Sequence, residues 1–126
     1  MTDRELLELA AKAAGLNVKG EWADEDDKFT HLNIGKKFTN ERMKWNPLTD
    51  DGDALRLAVK LGLVVHVWLH EEGVSVAESL EHGMAPEDED SDSWFFECTD
   101  SHGGDANKAT RRAIVLAAAE IGKAMP

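Results

Sequence analysis

The sequence predicts an α+β domain in which an antiparallel sheet of about four or five strands packs with three helices, in an arrangement similar to an α-β-α sandwich. Apolar residues recur at helical spacing in three places: near the N-terminus, in the centre and at the C-terminus. The segments between them alternate apolar and polar residues, which is typical of strands. A length of 126 residues indicates one domain that covers residues 1–126.

The first predicted helix begins at Thr2, a good N-cap with Glu5 as its capping-box partner, and it ends at Gly15. Two strands are predicted next, within residues 16–23 and 30–37. The four acidic residues 24–27 between them indicate the exposed tip of a hairpin. The apolar face of the first helix consists of Leu6, Leu9, Ala10 and Ala13.

The stretch "WNPLTDDGDALRLAVKLG" predicts a central helix with an acidic first turn. Pro47 disfavours helix before it, Thr49 or Asp50 can cap the helix, and Gly62 can end it. A calcium-binding loop is the alternative, but the spacing lacks the glycine at the sixth position and the acid at the twelfth. We therefore interpret the acids as a helix start and expect no metal there. The predicted core face consists of Ala54, Leu55, Ala58 and Leu61.

Three further strands are predicted, in "LVVHVWLH", "GVSVAES" and "SWFFECT", and a meander is the simplest way to connect them. A C-terminal helix is predicted from about Asp105 to Met125. We expect this helix and the first one to cover the same face of the sheet. The apolar set of that face would be Leu63, Val65, Val67 and Leu69, and the stripe on the last helix would be Ala106, Ala109, Ala113, Leu116, Ala117 and Ile121.

Three blocks of sequence carry a family resemblance: "TDRELLELAAKAAGL", "WNPLTDDGDALRLAVKLGL" and "NKATRRAIVLAAAEIGKAM". They resemble small bacteriophage and prophage proteins of unknown function, which are described as having a phage ABA sandwich, and the similar NinX group. The resemblance implies helices that cover an antiparallel sheet and a prophage origin. It brings no catalytic residues to this sequence.

The net charge of −11 argues against direct binding of nucleic acid, because it repels phosphate backbones. The basic pairs that could override it are Lys36-Lys37 and Arg111-Arg112, and neither is flanked by interleaved aromatic residues. An acidic chain fits a basic protein partner or mimicry of nucleic acid. The single cysteine, Cys98, and the charged start predict a cytoplasmic protein, and the resemblance implies that the cell is a bacterial host. Residues 55–69 are too charged to span a bilayer, so no membrane segment is expected.

One loop has the composition of an anion site. Gly103 and Gly104 precede a helix N-terminus and could present backbone N–H groups to a phosphate. Lys108, Arg111 and Arg112 follow within two helical turns and could add positive charge. The alternative is a flexible connection that Asp105 caps, because the loop lacks a complete phosphate-loop motif.

A second candidate surface is the mixed face of the strand that holds His66, Trp68 and His70, where we expect an interface. The two histidines lie about 13 Å apart on a strand, too far to share a metal ion. No zinc-ligand spacing exists in the sequence, and Cys98 in an apolar strand is interpreted as a small hydrophobe. We therefore expect no metal and no cofactor.

These observations predict a non-enzymatic phage accessory protein that acts by protein–protein binding, as a homodimer. A small-ligand binder that sequesters a nucleotide signal in phage counter-defence is the alternative, with the glycine loop as its site. An enzyme is not expected, because no nucleophile, base and orienting group can be assembled from recognisable spacing.

Overall fold

The computed structural model describes residues 2–68, 73–78, 94–98 and 105–126, with the backbone alone for residues 66–68, 73–78 and 94–98. The predicted α+β class with three helices is confirmed. Along these residues the elements are α1 (Asp3–Ala13), β1 (Val18–Ala23), β2 (Phe29–Ile34), β3 (Met43–Trp45), α2 (Asp51–Leu61), β4 (Leu63–Trp68), β5 (Gly73–Glu78), β6 (Trp94–Cys98) and α3 (Ala106–Ala124).

All three helices begin where the sequence predicts, because an N-cap side chain accepts the backbone N–H three residues later. Gly15 and Gly62 have φ of 70° and 65°, a left-handed conformation that glycine adopts without steric cost, and they terminate α1 and α2. The N-cap hydrogen bonds are Glu5 N to Thr2 Oγ1 at 3.2 Å, Asp53 N to Asp50 Oδ2 at 2.8 Å and Lys108 N to Asp105 Oδ1 at 3.0 Å.

The first sheet is antiparallel, with the strand order β1-β2-β3. The predicted hairpin tip is confirmed: residues 24–27 are exposed, and Asp24 Oδ1 accepts the N–H groups of Asp26 and Lys28. Strand β3 was not predicted, because three residues are too few to show alternation. It pairs Trp45 with Leu32, and both side chains are buried.

The second sheet is the predicted meander, with antiparallel order β4-β5-β6. The expectation of one sheet with four or five strands was therefore wrong, since the strands of the described residues form two sheets of three. On the predicted apolar face of β4, Leu63 is half-buried against the core, whereas Val65 is 38% exposed. Val67 and Leu69 lie outside the residues whose side chains the structure describes.

Helix α3 lies at the centre of the domain, in contact with α1, α2 and all three strands of the second sheet. Helix α1 packs against α3 and against β2 of the first sheet. The two helices were expected to cover one face of one sheet; instead α1 connects α3 to the first sheet, while α3 covers the second. Buried positions consequently surround α3 more widely than a single stripe: Ala109, Ala113, Ile114, Val115, Ala117, Ala118, Ala119 and Gly122.

The face that α2 buries differs in part from the prediction. Ala54 and Ala58 are buried as expected, but Leu55 is 65% exposed and Leu57 is buried in its place. Val59, one turn from Leu55, is 73% exposed as well. Several apolar residues fit more than one helical face, and only the position of α3 decides which face of α2 is covered.

None of the helices described here is apolar enough over a sufficient length to cross a bilayer.

Candidate functional site

The junction between β3 and α2 is a hydrogen-bond network around two buried polar side chains, Asn46 and Asp53. One Asp53 oxygen accepts the Asn46 N–H at 3.0 Å, and the other accepts from the Arg56 guanidinium at 2.7 Å. The Asn46 side chain donates to the Thr30 carbonyl at 2.6 Å and accepts from Leu48 N at 2.9 Å. Because both carboxylate oxygens of Asp53 already accept hydrogen bonds, this acid stabilises the junction.

A polar cleft of about 360 Å³ opens beside this network. It contains both charge signs, and Arg56 lies 3.8 Å from the carboxylate of Asp50 at its rim. Within the described ranges, three or more His, Cys, Asp or Glu side chains do not come together as metal ligands would. The residues that line the cleft are Lys44, Asn46, Thr49, Asp50, Asp53 and Arg56.

Arg111, one of the predicted anion ligands, holds α3 against the start of α2. Its Nε donates to the Leu48 carbonyl at 2.8 Å, and a second guanidinium nitrogen lies 2.6 Å from Asp51 Oδ1. The Arg111 side chain is only 16% exposed. Its charge is therefore paired with the carboxylate of Asp51.

The other predicted anion ligands point to different parts of the molecule. Arg112 contacts Asp3 of α1 at 3.4 Å, whereas Lys108 is exposed in the first turn of α3. Gly103 and Gly104 lie outside the described residues. Both arginines belong to α3, but Arg111 contacts α2 and Arg112 contacts α1. The anion site stays a prediction.

The predicted interface residues His66 and Trp68 lie on β4, as the strand pattern indicates. His66 pairs with Ser75, and Trp68 pairs with Gly73, across the antiparallel ladder. His70 and the side chains of His66 and Trp68 fall outside what the structure describes. An interface at this face therefore stays a prediction.

The first sheet presents an aromatic surface on the face opposite its buried Leu32 and Ile34. Trp22 of β1 and His31 of β2 are direct cross-strand partners, and their rings stack with centroids 6.4 Å apart and planes inclined by 11°. Trp22 is nevertheless 59% exposed. One flat face of a large aromatic ring is consequently open to solvent.

Next to this ring pair, the three strands present a row of Gly20, Asn33 and Lys44. Gly20 has φ of 136° and no side chain, and the Arg42 guanidinium lies 3.8 Å from the point that a Cβ at this position would occupy. Lys44 is exposed, and neither a hydrogen bond nor an ion pair joins it to any described residue. We name the set Trp22, His31, Gly20, Asn33 and Lys44 the outer face of the first sheet.

The loop between β2 and β3 joins two strands of this sheet and exposes Phe38 completely, with φ of 62°. Thr39 fixes the loop, since its hydroxyl donates to the Lys36 carbonyl at 2.9 Å and its carbonyl accepts from Lys19 Nζ. Arg42 donates to the Lys19 carbonyl at 2.7 Å, which joins the loop to β1. The aromatic side chain of Phe38 is thus displayed by an ordered turn.

The loop between β2 and β3 and the adjoining Lys44 are basic within an acidic protein, whereas the hairpin tip after Trp22 holds four exposed acids, residues 24–27. From residue 33 to residue 44 the chain has four basic side chains and one acid, Glu41. Residues 69–104, by contrast, hold 11 acids and no Lys or Arg, so the rest of the chain has 14 of each sign. The net charge of −11 therefore comes from one segment of the sequence. The basic residues near the outer face are Lys36, Lys37, Arg42 and Lys44.

His31 is less basic than a histidine in water. Partial burial lowers its pKa below the usual 6.5, and the positive charge of Lys44 lowers the pKa further. The imidazole is therefore neutral at pH 7, and it stacks on Trp22 as an uncharged ring.

We expect the pKa of His31 to make folding pH-dependent. Above about pH 6.5 the ring is neutral in both states, so its contribution to stability is full. As the pH falls below that value, the unfolded chain binds the proton first, and stability is lost until the pH reaches the lower pKa of the folded state. Urea denaturation at about pH 7.5 and about pH 5 should show a smaller acid loss for His31→Gln than for the wild type. Equal losses would contradict this assignment.

Comparison of the chain with protein-family models, with curated proteins and with solved structures gives no match. The resemblance to small phage proteins therefore stays a prediction from the three sequence blocks. The function has to be argued from the geometry of this chain.

Sequence reasoning missed the outer face, although a signal was present. Phe38 directly follows the pair Lys36-Lys37. It is an aromatic neighbour of a basic pair, the feature whose absence argued against nucleic-acid binding. Trp22 and His31 are nine positions apart in the sequence, and only the hairpin register brings them together. Pairing the two strands about the acidic tip could have placed both rings on one face.

Proposed function

We propose that the chain is a non-enzymatic binding protein that recognises a macromolecular partner through the outer face of the first sheet. The observation that carries this proposal is Trp22, a tryptophan held in place by a stacked neighbour and still 59% exposed. Tryptophan buries a large apolar area at little entropic cost and is enriched among residues that dominate binding energy. A ring fixed in this way suits contact with a partner.

The loop with Phe38 supports the same surface. A completely exposed phenylalanine gains nothing from the fold of its own chain, and burial against a partner would stabilise it by about 1.5–3 kcal/mol. The hydrogen bonds of Thr39 hold the loop in one conformation, which lowers the entropy lost on binding. Lys36 and Lys37 beside it favour an acidic partner.

Protein–protein binding as a phage accessory protein, which the sequence predicts, is one form of this proposal, and the homodimer belongs to it. The nucleotide-sequestering alternative gains less support. Arg111, the most buried of its proposed ligands, already binds a carboxylate and a carbonyl of its own chain. We therefore place the binding surface on the first sheet rather than at the start of α3.

Affinity capture from a bacterial lysate tests this proposal. The immobilised wild type should retain macromolecules that the double variant Trp22→Ala with Phe38→Ala does not, as read by mass spectrometry for proteins and by sequencing for nucleic acids. Leu55→Ala with Val59→Ala is the matched control, because these side chains are also exposed but lie on α2. Thermal melts check that all variants fold. Identical capture by both double variants would refute the proposal.

A further inference from the structure

We infer that the partner bound by the outer face of the first sheet is a single-stranded nucleic acid. The inference rests on the proposed function and names the chemical class of its partner. Its support is the combination of exposed aromatic side chains, lysines without ion pairs and the Arg42 guanidinium beside Gly20.

The ring faces suit nucleobases. Trp22 stacks on His31 and is still 59% exposed, so a base can stack on the exposed part of its ring. Because the pKa of His31 is lowered, the ring under Trp22 is uncharged near pH 7. Phe38 offers a second exposed ring at the end of the adjoining loop. Stacking of bases on aromatic side chains tolerates any sequence, since every base has a π-face.

The cations lie where a sugar-phosphate backbone would need them. Lys44 pairs across the sheet with Asn33, two residues from His31 on β2, and its positive charge contributes to the lowered pKa of His31. Lys36 and Lys37 directly precede Phe38 in the loop, and both are exposed. These three lysines have neither an ion pair nor a side-chain hydrogen bond with the described residues, although Lys44 also lines the polar cleft that contains Asp50 and Asp53.

Gly20 belongs to the outer face and lies on β1, beside the pair of Trp22 and His31. Its neighbours across the sheet are Asn33 and then Lys44, and strands are about 4.8 Å apart. Trp22 is two residues along the same strand, which is about 7 Å. A chain of nucleotides that passes over Gly20 would meet the Arg42 guanidinium, a further positive group for a phosphate, before it reaches Trp22.

The overall charge of −11 does not decide against this ligand, because residues 69–104 hold all of the excess. The Debye length is about 8 Å at physiological salt, so acids farther away are largely screened from the bound strand. Net charge would slow the encounter, whereas contacts on the outer face determine the dissociation rate.

An acidic protein segment would also be drawn to the lysines, but it would leave the flat ring of Trp22 without a matching surface. Duplex DNA hides its base faces inside the helix. The stacked pair therefore favours unpaired nucleotides over both, and these two ligands serve as comparisons in the test.

Fluorescence anisotropy with a labelled oligothymidylate of about 20 nucleotides is the direct test, in about 50 mM NaCl. We expect saturable binding that is weaker for a duplex of equal length and for polyglutamate. Trp22→Ala should weaken binding by about 5- to 150-fold, the range that corresponds to loss of one stacked base. With three phosphate contacts, log K against log salt should have a slope of about −2.

Matched variants separate the surface from general charge. Lys44→Glu should weaken oligothymidylate binding at least tenfold, whereas Lys60→Glu, the same reversal at an exposed position of α2, should change it less than twofold. Leu55→Ala is the control for Trp22→Ala. No binding at about 100 µM protein, equal effects of the two charge reversals, or tighter binding of polyglutamate would each overturn the inference.

Failure of the inference is distinguishable from failure of the proposed function. If the oligonucleotide does not bind but capture of lysate proteins depends on Trp22 and Phe38, the partner is a protein and the binding surface stands. If neither observation is made, the surface itself is wrongly assigned.

Discussion

Replacement of Ala113 by arginine is expected to unfold the protein. Ala113 is completely buried on α3, the helix that contacts the other two helices and the second sheet. A guanidinium at this position would have to displace packed side chains and lose its hydration without an acidic partner. Breaking a buried charge pair costs about 3–5 kcal/mol, and an unpaired charge in a tightly packed contact costs at least as much. A small domain has only about 5–15 kcal/mol of stability.

Circular dichroism during heating and in urea measures this effect. Ala113→Arg should lose the cooperative transition or melt far below the wild type. Ala124→Arg is the control, because Ala124 is exposed in the last turn of the same helix, where a positive charge favours the helix dipole. We expect the control to stay within about 0.5 kcal/mol of the wild type. An unchanged melting temperature for Ala113→Arg would rule out the central position of α3.

Local structure was predictable because its causes are local. Thr2, Asp50 and Asp105 cap the helices with hydrogen bonds that span three residues. The two glycines that end α1 and α2 follow from the left-handed conformation that they adopt. The acidic tip after β1 is a turn because its aspartates accept the backbone N–H groups of the turn itself.

Long-range arrangement was less predictable. Alternation identifies a strand but contains no information on which sheet the strand joins, so the four or five strands expected in one sheet belong to two sheets in the described part of the chain. The exposure of Leu55 and the burial of Leu57 depend on where α3 lies, and this position is set by contacts distant in sequence. The stripe of small residues on α3 indicated a close contact but not the element that forms it. In the structure this element includes helix α1.

The candidate site shows the same division. Neighbours in the sequence were the basis for interpreting the basic pairs. Arg111 was predicted to bind an anion because it follows a glycine-rich loop. The fold uses Arg111 to bind Asp51 and Leu48 across 60 and 63 positions. The outer face instead combines three strands and a loop, so its rings and lysines become one surface only through the strand register.

The close contact between α1 and α3 predicts an effect opposite to that of helix propensity. Alanine is favoured over glycine inside a helix by about 0.8–1 kcal/mol, so Gly122→Ala would stabilise an isolated α3. In the protein, a Cβ at position 122 would lie 3.2 Å from Leu9 Cα and 2.8 Å from the Leu9 carbonyl carbon, and closer still to the carbonyl oxygen. These are backbone atoms of α1, which cannot rotate away as a side chain can.

We therefore expect Gly122→Ala to lower the free energy of unfolding by about 1–3 kcal/mol, because the helices must separate and loosen the alanine contacts between them. Gly52→Ala in the first turn of α2 is the matched control. Its Cβ would meet the Arg56 guanidinium and the Asp50 carboxylate at 3.2 Å, and both side chains can shift, so its effect should be neutral or stabilising by up to about 1 kcal/mol. Urea denaturation of the two variants measures both signs. If Gly122→Ala were as stable as Gly52→Ala, the backbones of α1 and α3 would not approach closely at Leu9. The distance between the two helices in the core would then have to be larger.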